Sequence, residues 1–294
     1  MPELPDITIY IERLEALIVA QPLQQLDVRN VFVLRSVSPA PADLAGRIVT
    51  GVRRMGKRIV IAFDGDMFAV LHLMIAGRLR WRAPAAKPPG RIALAAFVFP
   101  NGTLFLTEAG STRRASVHLV AGEPGLAAFD RGGLEVLDSS AAAFGERLTS
   151  ENHTLKRALT DPRLFSGIGN AYSDEILHRA RLSPRMLTSK LDADQIERRH
   201  RATLVTLRDW TERLRAAAGP VFPEEVTAFH PEMAVHGRFG LPCPVCSSPV
   251  QRIRYATNET NYCARCQTGG RLLADRALSR LLKQDWPRSI DESD

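Results

Sequence analysis

The chain has 294 residues, 45% of them hydrophobic, which is enough for a sizeable core and for more than one domain. Its 39 Lys and Arg against 32 Asp and Glu give a net charge of +7, a balance that favours a polyanionic partner. No apolar run of about 18 residues occurs and the start lacks a charged-then-apolar signal pattern, so the sequence predicts a soluble, cytoplasmic protein.

The first six residues, Met1-Pro2-Glu3-Leu4-Pro5-Asp6, admit two readings. One is an ordinary helix start with Pro5 in the first turn. In the other, removal of Met1 gives Pro2 a free secondary amine beside the Glu3 carboxylate. An α-amino group titrates near ~7.7–8.0, so part of it is neutral at physiological pH. A neutral amine attacks electrophilic carbon to give an imine or iminium, and a neighbouring carboxylate can move protons in the same reaction. In residues 5–20, Ile7, Tyr10, Ile11, Leu14, Leu17 and Ile18 recur at helical spacing. That helix would hold Pro2 in place, as positioned chemistry requires.

Residues 24–130 read as short β-branched and aromatic runs, punctuated by turns such as Asp64-Gly65 and Asn101-Gly102. They predict a β-sandwich or barrel-like domain. The segment LDVRNVFVLRSV is read as the first of these strands. Lys57 lies in the cluster Arg53, Arg54, Lys57, Arg58, either a solvated basic turn or a phosphate clamp. The segment EAGSTRRAS (108–116) brings Arg113 and Arg114 together after another strand; as a bare pattern it is a charged loop. The Gly- and Ala/Ser-rich stretch that follows reads as a linker.

Residues 151–218 read as helical. Asn152-His153-Thr154 precedes a short helix carrying Lys156 and Arg157. Gly167-Ile168-Gly169-Asn170 then opens an amphipathic helix. Such a turn lets a phosphate approach the backbone at a helix N-terminus, or it is a glycine turn with Asn170 as N-cap. A long helix is predicted from Asp192 to Ala218.

All four cysteines fall in one window, Cys243-Pro-Val-Cys246 and Cys263-Ala-Arg-Cys266, with sixteen residues between the pairs. The spacing is that of a four-cysteine zinc ribbon holding one structural Zn²⁺, with a β-hairpin between the knuckles. From His236 to Arg288 there are nine Lys/Arg and three Asp/Glu, so this end presents a basic surface. The tail contains RLLADRALSRLLK, amphipathic by helical spacing, and ends in an acidic DESD read as disordered.

MPELPD, Lys57 before an apolar strand, the Gly167–Asn170 turn and the terminal ribbon occur in the order found in one family. From residue 1 to about 267 the chain resembles the formamidopyrimidine-DNA glycosylase / endonuclease VIII family. The resemblance implies a multidomain α+β protein: an N-terminal helix plus β-sandwich (1–130), a linker (131–150), a helical helix–two-turn–helix domain (151–240), a C-terminal zinc-ribbon hairpin (241–268), and a C-terminal helix with an acidic tail (269–294). It also implies double-stranded DNA held between the domains, a damaged nucleotide flipped out of the stack, and a monomeric bifunctional enzyme. Pro2 would attack the sugar C1′ to form a Schiff base, Glu3 would assist proton transfer, and β,δ-elimination would nick the strand. Lys57, Lys156 and Asn170, with Gly169, match phosphate-contact positions.

The departures bear on the substrate. Asp6 stands where the family usually has Glu. Ile75 replaces an intercalating Met, yet remains an apolar wedge. Arg113 and Arg114 lie where a Pro-Arg-Arg-Phe-Gly loop is expected. Asn258 aligns with the hairpin arginine that grips phosphate, and Arg254 lies nearby. Oxidised pyrimidines, oxidised purines and abasic sites all remain open as substrates. A non-catalytic damaged-DNA-binding zinc protein and a zinc-ribbon RNA-binding protein are the alternatives; neither needs an amine at residue 2.

Overall fold

The computed structural model describes residues 1–110, 112–224, 230–256, 258–274 and 288–292. They form two units. One comprises Met1–Arg131 with the described residues from Trp210 to Glu224; the other comprises Gly132–Asp209 with the described residues from His230 onward. None of the described helices is long and apolar enough to cross a membrane.

The first unit begins with helix α1 (Leu4–Ile18), which has Pro5 in its first turn. Ile7, Tyr10, Leu14 and Ile18 recur on one face and are fully buried. Beneath α1 lie two four-stranded antiparallel sheets. One has the order β1 (Gln25–Val28), β6 (Ala93–Phe99), β7 (Gly102–Glu108), β5 (Gly77–Arg82). The other runs β2 (Val49–Met55), β3 (Arg58–Phe63), β4 (Met67–His72), β8 (Ser116–Ala121). One face of each sheet alternates into a shared core that includes Ile59, Ile61, Leu71, Phe97, Leu104 and Leu106. Helix α2 (Glu123–Ala127) covers the opposite face of the second sheet through Leu126, against Val60, Phe68, Val70 and Val120. The segment from Trp210 returns to this unit. Arg215 grips Glu12 at 2.5 and 3.0 Å, Phe222 meets the Tyr10 ring at 5.7 Å, and Glu224 pairs with Arg82 and Arg80.

The second unit contains α3 (Ala141–Thr149), α4 (Leu155–Thr160), α5 (Asn170–Arg179), most of α6 (Ala193–Ala218), the hairpin β9 (Val250–Arg254)–β10 (Glu259–Cys263), and α7 (Ala264–Thr268). The architecture is α+β, with a β-sandwich, a helical domain and a C-terminal hairpin, as the sequence predicts.

Three local expectations change. The predicted first strand stops at Val28; Val31–Val33 is a 3-10 turn that leaves Val31 and Phe32 exposed, because Asn30 accepts the Phe32 N–H and turns the chain. Within the stretch read as a linker, Ser140 caps α3 and Phe144 and Leu148 are buried. The end of the chain is not all disordered acid. Residues 288–292 fold back, Ile290 N–H reaching Gly270 O at 2.9 Å and its side chain joining Ile253, Tyr262, Ala264 and Leu272 in a small core. Most of the predicted C-terminal helix lies outside the described residues.

Candidate nucleic-acid interface and zinc centre

The first unit carries the N-terminal group. Glu3 and Asp6 are each only 2% exposed. Glu3 is the N-cap of α1, and its N–H donates to Asp6 Oδ2 at 2.7 Å. A shorter acid at position 6 thus still closes the first turn. Asp6 Oδ1 is buried with no hydrogen-bond partner among the described residues. Burial pushes the Asp6 carboxyl up to about 7, with the Glu3 N–H acting in the opposite direction. Burial also holds the Met1 α-amine below its ordinary value, partly offset by Glu3 and Asp6, while Arg78 and Lys57 lower it further. The arrangement keeps an amine closer to its neutral, nucleophilic form and a carboxyl next to it near neutrality.

A pH test follows for Asp6. Its proton is lost near 3.8 in the unfolded chain and near 7 in the folded one. Its stability contribution is therefore full below about pH 4 and lost as pH rises through 7, a span of about 4 kcal/mol. Asp6→Asn keeps an acceptor for Glu3 N–H. Urea denaturation is expected to show the variant gaining stability over the parent from pH 5 to pH 8; parallel pH profiles would show that Asp6 ionises normally.

Lys57, in the turn between β2 and β3, acts on this group, and beside Lys57 stands His72, at the end of β4 directly opposite Arg58. His72 escaped the sequence reading because a lone histidine in an apolar strand carries no pattern. Burial and the neighbouring Arg58, Lys57 and His118 hold it down to about 4. Next along the chain, Met74 adopts φ +54° and Gly77 N–H returns to Leu73 O, so Ile75 is thrust outward, 60% exposed. A Cβ at Gly77 would sit 2.2 Å from Leu73 O, so the turn requires glycine there. The apolar side chain expected as a wedge, Ile75, is thus the one that projects. Arg113 and Arg114 are exposed on a loop that the buried Glu108 carboxylate holds by the Arg114 and Ala115 N–H groups, at 2.8 and 3.0 Å. Arg113 is tied to Arg91 O at 2.7 Å.

The second unit carries the glycine turn. Gly167 has φ +80° and Gly169 is the N-cap of α5, with no acidic residue in the first turn. Asn170 Nδ2 donates to Glu259 O of β10 at 3.0 Å, tying the turn to the hairpin. Lys156 is turned toward the helix: its Nζ donates to Asn170 O and to Asp174 Oδ1, both at 2.6 Å, with the side chain 12% exposed. Asp174 Oδ2 lies 2.8 Å from His236 Nδ1. The neighbouring Glu175 carboxylate accepts N–H bonds from Ala234, Val235 and His236 at 2.8–3.0 Å. Asp174 and Glu175 thus anchor the chain entering the ribbon, a role invisible in sequence because the partners are far apart along it. Removing the Asp174 charge would leave Lys156 a buried cation without its partner. Asp174→Asn is expected to cost about 3 kcal/mol or more of stability in denaturant titration; an unchanged midpoint would show the pair to be dispensable.

The four cysteine sulfurs all lie within 4.8 Å of one another, with Cys243–Cys266 at 3.9 Å and Cys246–Cys263 at 3.4 Å. A tetrahedral Zn²⁺ at about 2.3 Å from each sulfur needs edges of about 3.8 Å, so the residues fit the ion. Outer contacts fix the cage: His178 Nε2 is 3.3 Å from Cys243 Sγ, and Gln267 accepts the Cys263 N–H while donating to Leu182 O. In the hairpin, Arg254 pairs across the strands with Glu259, and Tyr255 N–H closes the end on Asn258 O at 2.8 Å. Arg254 is a strand residue facing Glu259, whereas Asn258 belongs to the closing turn, so the two occupy different places in the hairpin.

A zinc ribbon, a helical domain with a glycine turn and a buried N-terminal group with cations around it define a zinc-finger protein built to hold nucleic acid. Residues 1–111 match the formamidopyrimidine-DNA glycosylase N-terminal domain, 133–215 the formamidopyrimidine-DNA glycosylase H2TH domain, and 240–269 the zinc finger found in FPG and IleRS. A formamidopyrimidine-DNA glycosylase of Thermus thermophilus is 32% identical over 287 residues, covering 92% of this chain and 100% of that protein. An uncharacterized formamidopyrimidine-DNA glycosylase-like protein of Mycobacterium tuberculosis is 40% identical over 151 residues, 51% of this chain and 94% of that one. Among solved structures, the MutM (FPG) protein of Thermus thermophilus superposes with a TM-score of 0.75 at 31% identity, covering 90% of this chain and 98% of that one. The fold is shared too by a Lactococcus lactis FPG variant solved with Fapy-dG-containing DNA, with TM-score 0.80, 24% identity, and coverage of 91% and 100%. The chain belongs to the formamidopyrimidine-DNA glycosylase family of DNA-repair glycosylases, and its ribbon is that family's zinc finger.

Proposed function

We propose that this protein is a bifunctional base-excision-repair enzyme, a DNA glycosylase with AP lyase activity, acting as a monomer on double-stranded DNA that contains oxidised bases or abasic sites. The observation that carries the reading is the start of α1, where Pro2, Glu3 and Asp6 are buried together and the Glu3 N–H is held on Asp6 Oδ2 at 2.7 Å. Once Met1 is removed, the Pro2 nitrogen attacks C1′ of the flipped nucleotide, and the N-glycosidic bond breaks as the base leaves with its electron pair and a proton. The sugar opens to an iminium. Glu3 shuttles the proton at the opened sugar oxygen, and Asp6 holds Glu3 and the first turn of α1 in position. Loss of a C2′ proton expels the 3′ phosphate, and a second elimination expels the 5′ phosphate. Lys57 and His72 hold backbone phosphate on one unit, and the Gly169–Asn170 turn does so on the other, where the α5 N-terminus favours an anion. Lys156 supports that turn from behind. Ile75 fills the space left by the flipped base. Arg113, Arg114 and Arg254 add exposed positive charge, and Asn258 offers an amide where the family has a guanidinium.

Borohydride trapping on duplexes bearing an abasic site, 8-oxoguanine or thymine glycol tests the reading. A covalent protein–DNA adduct on at least one duplex is expected, mapped by peptide analysis to residue 2. Tight DNA binding with no adduct on any of the three would move the protein to the non-catalytic damaged-DNA binders.

A further inference from the structure

One end of the β2–β3–β4–β8 sheet face that turns away from the sandwich core gathers Arg58, His72 and His118 with no carboxylate paired to them among the described residues. The registers place Arg58 of β3 opposite His72 of β4, and His72 opposite Ser116 of β8. One step further in, Val60, Val70 and His118 line up across the same strands. Side chains alternate along a strand, so Arg58, His72 and His118 share one face. Phe129 packs over it. Its ring meets His118 edge-on at 4.9 Å, lies 5.9 Å from the Arg58 guanidinium, and its carbonyl accepts from Arg58 Nη1 at 3.3 Å.

Among the described residues, Arg58, His72 and His118 make no ion pair. After burial, every charge acting on them is positive: Arg131 on Arg58; Arg58, Lys57 and His118 on His72; Arg58 and Arg35 on His118. All three are held below their ordinary values in consequence. His118 Nδ1 is also buried with no hydrogen-bond partner among the described residues. On the same face Arg53, opposite Val60, reaches Glu123, and elsewhere on this unit Arg29 reaches Asp27 and Arg82 reaches Glu224. Arg58 has no such carboxylate among the described residues. A guanidinium without a carboxylate, beside two imidazoles held toward their neutral, hydrogen-bonding form, leaves a place for an anion.

We propose that Arg58 and His118, walled by Phe129, form a second anion subsite that takes a backbone phosphodiester of the DNA strand beyond the phosphate held at Lys57 and His72. This rests on the DNA-binding reading above. A guanidinium fork matches two phosphate oxygens, and the imidazole N–H supplies a further donor. The Phe129 ring keeps one side of the site dry, which strengthens the attraction. The contact reads no base, so it adds equal affinity for any sequence and for damaged and undamaged DNA alike.

Fluorescence anisotropy over a salt series, on an undamaged duplex and on one carrying an abasic analogue, tests the subsite. Arg58→Gln is expected to weaken both by about tenfold and to reduce the slope of log K against log[salt] by about 1. Arg58→Lys should recover most of the loss, and His118→Phe, which keeps the packing on Phe129, should weaken both duplexes without altering the discrimination between them. The His118 ring signal in NMR should move with duplex, and much less with inorganic phosphate at the same phosphate concentration. Parental affinity and slope in both Arg58→Gln and His118→Phe would overturn the subsite, and an equal response to inorganic phosphate would overturn its assignment to the strand. If the parent protein binds neither duplex, the DNA-repair reading falls instead.

Discussion

Stripping zinc with a strong chelator is expected to unfold the hairpin module and to abolish specific DNA binding. Structural zinc in small modules contributes about 10–16 kcal/mol of apparent folding free energy, more than the hydrophobic contacts of this module can replace. Its apolar cluster is small: Ile253, Tyr262, Ala264, Leu272 and Ile290, beside the cysteines packed with Val235 and Val250. The damage should spread along the hydrogen bonds that leave the module. Glu259 O would no longer receive Asn170 Nδ2, Asn261 Oδ1 would lose Gly237 N–H, and Gln267 would release Leu182 O. The α5 N-terminus, where we propose that phosphate is held, would then lose its geometry without any change to its own residues. Cys246→Ser, which leaves three thiolates, should bind zinc far more weakly and show the same loss at lower chelator concentration. Thiol titration with parallel anisotropy checks this. Full DNA affinity in a protein whose four thiols have become reactive would refute it.

Blocking the terminal amine should remove catalysis and leave binding. An uncleaved N-terminal extension turns the Pro2 nitrogen into an amide, which is not nucleophilic. Strand cleavage is expected to fall by about 10³-fold or more and the borohydride adduct to vanish, because the proposed covalent step loses its nucleophile. Dissociation constants should change far less, since phosphate contacts are made by other residues. Glu3→Gln is the milder case. It should lower the elimination rate by about 10²–10⁴, the usual scale for a positioned proton-transfer group, while a trapped adduct still forms. Quenched-flow cleavage and trapping yields on one abasic duplex separate the two. Cleavage at the parental rate by the extended protein would mean that the nucleophile lies elsewhere.

How much of this was legible in the sequence follows from how local each signal is. The zinc ligands were readable because each knuckle is a four-residue spacing, and spacing alone puts two sulfurs on one ion. Helix α1 was readable because Ile7, Tyr10, Leu14 and Ile18 repeat at the helical period and all are buried. The two sheets were readable as strands, but their order was not, since β1 pairs with β6 and β4 with β8 across long separations. The site split along the same line. Pro2 and Glu3 stood out through position, whereas Asp174 acquires its meaning only from Lys156 and His236, which reach it from distant parts of the chain. Lys156 looked like an outward cation because its sequence surroundings are polar; in the fold it is held inward by a fully buried carboxylate. The choice between Arg254 and Asn258 depended on hairpin register, which a single closing hydrogen bond decides.

The returning tail has a consequence for the order of assembly. Ile290, the last residue to join the core beside the ribbon, lies well beyond Cys266 in the chain. During synthesis the earlier parts of a chain emerge and fold first, so all four thiolates are available before Ile290 can cover the neighbouring apolar face. Closure of the tail, through Ile290 N–H on Gly270 and Arg265 on Asp291, therefore comes after the residues of the hairpin have been made. A chain cut short before Ile290 would therefore keep all four cysteines while leaving Ile253, Tyr262 and Leu272 without their last apolar neighbour.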